Sequence, residues 1–173
     1  MKREIKFRGY DPDTKRWYFG SLVKQNKTTY VTSEDYDQNP SNTEWFIFWD
    51  EMTDWCLPNR HIQGSVDPES IGEYTGKHDK NGRKIYEGDL FEHRFGYIVF
   101  DDPPHDEMGT ECGVVVLEDG QFGVKIPGLG VYNLYGLLLR EGHLDNMPKD
   151  DLFVMKIAGN IYENPELLEA DHE

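Results

Sequence analysis

At 173 residues and 20.2 kDa, the chain suffices for one domain or two small lobes, and a chain of this size buries about 70% of its unfolded surface without cross-links. Its 33 acidic against 18 basic side chains give a formal charge of -15, which repels phosphate backbones at long range, while a 13% aromatic share argues against disorder despite a mean hydropathy of -0.73. Cys56 and Cys112 form no CxxC pair, so neither a disulfide scaffold nor a closed zinc site is encoded, and both are expected as free thiols in a reducing compartment.

Short apolar segments rich in Val, Ile, Phe, Tyr and Trp alternate with dense Gly, Pro, Asn and Asp punctuation, the grammar of an antiparallel β protein. Ile5 to Tyr10 and Arg16 to Val23 flank Asp11-Pro12-Asp13-Thr14-Lys15, where Pro presets a turn φ and Asp bonds the backbone ahead of it, so a hairpin is expected. Thr28 to Thr32 reads as a further strand and Ser33 to Thr43 as an exposed acidic loop. Trp45-Phe46-Ile47-Phe48-Trp49 is apolar on both faces of a strand, with Trp45, Ile47 and Trp49 on one and Phe46 and Phe48 on the other. One face fills the core. The other calls for a second layer, the loop around Trp55, or a partner.

The Asp67-Pro68 step and Gly72 mark a boundary between an N-terminal β region, 1–72, and a second one, 73–163. In the latter, Asp79-Lys80-Asn81-Gly82 closes a tight reversal and Glu87-Gly88-Asp89 turns the chain into Leu90 and Phe91. Tyr97 to Phe100, Val114 to Leu117 and Gln121 to Ile126 are predicted strands, the last two joined by Asp119-Gly120, a strong hairpin signal. Strands this short and closely spaced fit a small barrel. Tyr132 to Arg140 is ambiguous, since Leu134, Leu137 and Leu138 fit a helical face that Gly136 weakens. Phe153 to Ala158 reads as a closing strand, and Asn164-Pro165-Glu166 opens a short helical tail, 164–173.

Charge is uneven along this order. Residues 1–30 hold 8 basic and 3 acidic side chains, whereas residues 96–173 hold 4 and 16. Lys2, Arg3, Lys6 and Arg8 near Tyr10, Trp17 and Tyr18 make the basic and aromatic mixture of a single-strand binder, but a solvated strand face explains them more simply. The charged start lacks the apolar stretch of a signal peptide, and the longest apolar runs, Trp45 to Trp49 and Val114 to Leu117, fall far short of the ~20 residues that span a bilayer, so a cytoplasmic protein is expected.

Arg3-Glu4-Ile5-Lys6-Phe7-Arg8, Tyr74-Thr75-Gly76 with Asp79-Lys80-Asn81-Gly82, Ile85-Tyr86-Glu87-Gly88-Asp89, and Gly159-Asn160-Ile161-Tyr162-Glu163-Asn164-Pro165 together resemble the YopX family, found mainly in bacteriophages and prophages. The resemblance implies an N-terminal β region followed by a small SH3-like β-barrel, in the cytoplasm of a bacterial host. It implies no reaction, cofactor or catalytic residue. Here Glu73-Tyr74-Thr75-Gly76-Lys77-His78 departs from the family's Gln-Tyr-Thr-Gly-Leu-Lys pattern, and Asp101 to Cys112 reads as an acidic insertion.

That insertion supplies the weak metal candidates Asp101, Asp102, His105, Asp106 and Glu107, hard ligands for a divalent ion in a metal-dependent hydrolase. Against them, no rigid i, i+4 ligand pair exists and acidic loops are commonly just solvated. Asp35-x-Asp37-x-Asn39 begins like a calcium loop, but Pro40 replaces the required Gly. Phosphate-binding, dinucleotide, nucleophile-elbow and zinc-helix signatures are all missing, so no enzyme and no cofactor are expected. The favoured expectation is a non-enzymatic accessory protein acting through protein contacts, also as a homo-oligomer, with Trp45, Ile47, Trp49 and Trp55 as contact surface and basic proteins as partners.

Overall fold

The computed structural model describes residues 4–27, 32–34, 43–52, 60–140 and 156–168, and at residues 93–97, 108 and 140 the backbone alone. The chain is mainly β and divides into two units, Met1–Tyr74 and Thr75–Glu173.

In the first unit, β1 (Phe7–Asp11), β2 (Arg16–Asn26), β3 (Thr43–Glu51) and β4 (Arg60–Val66) form antiparallel neighbours in the order β4-β3-β2-β1. The opening residues of β5 (Gly72–His78) pair with the free side of β1. The β1–β2 hairpin turns where its sequence demands, because Oδ1 of Asp11 accepts the Asp13 N–H at 2.9 Å and the Thr14 N–H at 3.3 Å. Alternation along β3 sets Ile47 between Leu22 and Gly64, and Trp45 beside Val66. Ile47 and Val66 are buried, and Trp49 stacks on Tyr18 with centroids 4.7 Å apart. A single 3-10 turn, Pro68–Ser70, then leads into β5, with Asp67 as its N-cap and Ser70 Oγ accepting the Tyr10 N–H at 2.7 Å. Residues 28–31 of the strand expected at Thr28 to Thr32, most of the loop after it, and Trp55 and Cys56 lie outside the described residues.

In the second unit, β6 (Lys84–Tyr86) follows the 79–83 reversal. A separate antiparallel sheet runs β10-β9-β8-β7-β11, from β7 (Asp89–Val99), β8 (His105–Glu118), β9 (Gln121–Ile126), β10 (Gly130–Asn133) and β11 (Lys156–Asn160). The helix α1 (Leu134–Arg140) resolves the ambiguous segment: Asn133 Oδ1 accepts the Gly136 N–H at 3.0 Å, and Leu134, Leu137 and Leu138 join Phe91, Val115, Val124, Ile85 and Ile157 in one core. Fully burying a leucine contributes roughly 1.5–3 kcal/mol. The expected closed barrel is not formed among the described residues, since β10 and β11 remain the two edges of this sheet. A helix covers its apolar face where a barrel would use facing strands. At the C-terminal end, Pro165–Leu168 is one 3-10 turn rather than an α-helix.

Candidate functional site

The residues that carry the family motif act within the fold. Asp79 is 5% exposed, and its carboxylate accepts the N–H groups of Asn81 and Arg83 at 2.8 Å and of Ile157 at 3.4 Å. Asp89 Oδ2 accepts the Tyr86 N–H at 2.7 Å, Thr75 Oγ1 donates to the Ile85 carbonyl at 2.9 Å, and Asn160 Oδ1 accepts from Tyr162 and Glu163 at 3.0 and 2.9 Å. Gly76, Gly82 and Gly88 adopt φ of 80, 79 and 80°, which side chains with a Cβ rarely tolerate. These groups hold turns and strand ends together, and the chemistry of the protein must be sought elsewhere.

The segment expected to be an acidic loop is largely a strand. β7 continues unbroken to Val99, and β8 already begins at His105, leaving only residues 100–104 as a turn. Asp106 and Glu107 therefore point to opposite faces, and His105 and Glu107 meet, Nε2 to Oε1, at 3.2 Å. Asp101, Asp102, His105, Asp106 and Glu107 are all exposed, and among the described residues no three His, Cys, Asp or Glu side chains converge as a metal site. An extended strand spreads ligands that a loop could have wrapped around an ion. Cys112 is a buried thiol midway along this strand.

The same pairing builds a feature that the sequence hides. β11 accompanies β7 only over Asp89–Glu92, and β9 accompanies β8 only over Val114–Glu118. Beyond those limits, among the described residues, β7 and β8 pair with each other alone, from His93↔Glu111 to Val99↔His105, seven rungs or roughly 20 Å of two-stranded arm. Ile98 and Phe100 are 55% and 86% exposed at its outer end, beside the four exposed carboxylates. Isolated two-stranded ribbons are marginally stable in water, and an unaccompanied edge invites a further strand. Sequence reading gave Leu90 and Phe91, a strand at Tyr97 to Phe100, and an insertion from Asp101 to Cys112; two β-rich runs meeting at Asp101-Asp102-Pro103-Pro104 were the available signal.

The aromatic strand offers less than expected. Ile47 is 0% exposed and has no surface for a partner, because Leu22 and Gly64 flank it and the Trp45, Ile47 and Trp49 face lies against the interior of the unit. Trp45 is partly exposed and carries Lys24 Nζ at 5.3 Å from its ring centroid, and Trp49 is engaged by Tyr18. Of the basic cluster, Arg8 is buried with its guanidinium 4.9 Å from the Trp17 centroid, and Lys6 pairs with Glu4 at 3.6 Å; Lys2 and Arg3 lie outside the described residues.

Among carboxylates, Asp11 has a perturbed acidity. Burial pushes its carboxyl up, but hydrogen bonds from the Thr14 hydroxyl and from the Thr14 and Asp13 N–H groups outweigh burial and hold it below the usual carboxylate range. No helix among the described residues is long and apolar enough to cross a membrane.

The family model for the YopX protein matches residues 6–169, nearly the whole chain, and the chain belongs to that family. A solved structure, protein EF1440 from Enterococcus faecalis, is 24% identical to it, covering 96% of this chain and 99% of that one, with a TM-score of 0.47. Comparison with curated proteins finds no match.

Proposed function

We propose that this member of the YopX family is a non-enzymatic accessory protein of a phage or prophage, working in the host cytoplasm by gripping a protein partner through the β7–β8 arm. The observation that carries this reading is the arm itself: seven rungs of two-stranded ribbon, unaccompanied by a third strand among the described residues, ending in exposed Ile98 and Phe100. Residues 95–112 contain five acidic side chains and no Lys or Arg. An extended basic segment is the complementary occupant: its backbone adds to a ribbon edge and its cations meet the carboxylates. That the buried motif groups are engaged in turn bonds supports the non-enzymatic part of the reading.

The test compares the native chain with an Ile98→Ser, Phe100→Ser double variant in quantitative capture from nuclease-treated bacterial lysate at low and moderate salt. The native chain is expected to hold a protein partner that salt weakens, and the variant to lose it while its thermal midpoint stays within about 2 °C, as for exposed substitutions. Equal capture by both would remove the arm from the interface. A native mass showing dimers that the variant loses would instead make a second copy the occupant.

A further inference from the structure

We infer that a cavity of about 460 Å³ in the first unit binds a flat organic cation of the guanidinium type. This inference is independent of the arm. The volume lies in the range of small-molecule sites. Strand register places Phe19, Ser21, Phe48, Asp50 and His61 on one face, since Ser21 is opposite Phe48 and Asp50 opposite His61. Phe19 is 45% exposed, leaving aromatic surface open to a ligand.

The polar groups of the cavity favour a cation. His61 Nδ1 lies 2.6 Å from Asp50 Oδ1, which fixes the carboxylate at the rim and leaves the acceptor capacity of its second oxygen. Lys6, which also lines the cavity, pairs with Glu4 at 3.6 Å. The Asp50 carboxylate thus stands beside the aromatic surface of Phe19 and Phe48. A carboxylate next to aromatic rings recognises organic cations, and a guanidinium best of all, because it stacks flat and bonds a carboxylate with two N–H groups. This unit already sets cations over aromatic rings, Arg8 over Trp17 at 4.9 Å and Lys24 over Trp45 at 5.3 Å.

The experiment is an NMR titration of the full chain with N-acetyl-arginine amide, its neutral isostere N-acetyl-citrulline amide, and inorganic phosphate. Saturable shifts of the Ser21, Phe48 and His61 amides are expected with the arginine probe and not with the other two. Asp50→Asn, at an exposed position, is expected to weaken binding about fivefold, the usual worth of an exposed charge contact. An Ala-Ala-Arg-Ala peptide distinguishes sources: tighter binding than the amide assigns the site to an arginine of a protein segment, and equal binding assigns it to a free small cation. No saturation below 10 mM, equal binding by the Asn variant, or saturation by phosphate in place of arginine would overturn the inference.

Discussion

Two reversals of the second unit begin with aspartate and use it in opposite ways. At Asp79-Lys80-Asn81-Gly82-Arg83 the carboxylate is buried and bonded by N–H groups two and four residues ahead, and by Ile157 of β11. At Asp101-Asp102-Pro103-Pro104, the tip of the arm, both carboxylates are exposed. The difference lies in the residue two positions on. Asp79 finds the Asn81 N–H there, as Asp11 finds Asp13, Asp67 finds Glu69, and Asn160 finds Tyr162. Asp101 and Asp102 find Pro103 and Pro104, which have no N–H to give. Denied the local partner, the tip carboxylates stay in water, available to something outside the chain.

The comparison breaks first at Asp79. Asp79→Ala strands three backbone donors, two in the turn and one on β11, at about 1 kcal/mol or more each. A loss of about 3 kcal/mol in urea unfolding is expected, large against the 5–15 kcal/mol that holds a typical domain. A loss below 1 kcal/mol would mean that the turn geometry stands without its carboxylate.

The i+2 pattern explains what could be read from sequence. Asp11-x-Asp13 and Asp79-x-Asn81 announce their turns locally, and Asp119-Gly120 closes its hairpin at φ of 50 and 75°, the left-handed values that pair favours. The alternation of Trp45 to Trp49 was equally plain, but which face becomes interior depends on β2 and β4 supplying Leu22, Gly64 and Val66 beside it. Neither the arm nor the open sheet is local. The arm follows from where β9 and β11 stop pairing, and the open sheet from α1 covering the core, a helix whose Asn133 cap steadies it despite Gly136. The loop expected from Asp101 to Cys112 was illegible for the same reason: long-range pairing makes its second part strand. In the cavity, Phe19 and Phe48 were within predicted strands, yet His61 and Asp50 meet only through the β3–β4 register.

Asp11 sharpens the comparison through pH. Its carboxyl is held below the ordinary value by the Thr14 and Asp13 bonds in spite of burial, so the folded state favours the ionised form. The stability this supplies is full above the unfolded-state value near 3.9 and disappears as pH falls through the lower folded value. Asp11→Asn removes that dependence. The native chain should therefore exceed the variant in urea midpoint by a constant margin at pH 5 to 7, and the margin should shrink below about pH 4. A margin that does not change between pH 6 and pH 3 would overturn the assignment.

The smallest effect is expected at the tip. Asp101→Asn with Asp102→Asn removes two exposed charges whose i+2 neighbours are prolines, so folding should change by no more than about 0.5 kcal/mol. Relief of repulsion within a strongly acidic chain makes a slight gain as reasonable as a slight loss. Partner capture should respond differently, since the same substitutions remove two of the five charges on residues 95–112 and with them part of the salt sensitivity. If stability instead fell by more than 1 kcal/mol, the tip carboxylates would have partners inside the fold, and missing proline donors would no longer separate the two turns. If stability held and salt sensitivity did not move, the carboxylates would be solvated surface, and any grip of the arm would rest on Ile98, Phe100 and the ribbon edges alone.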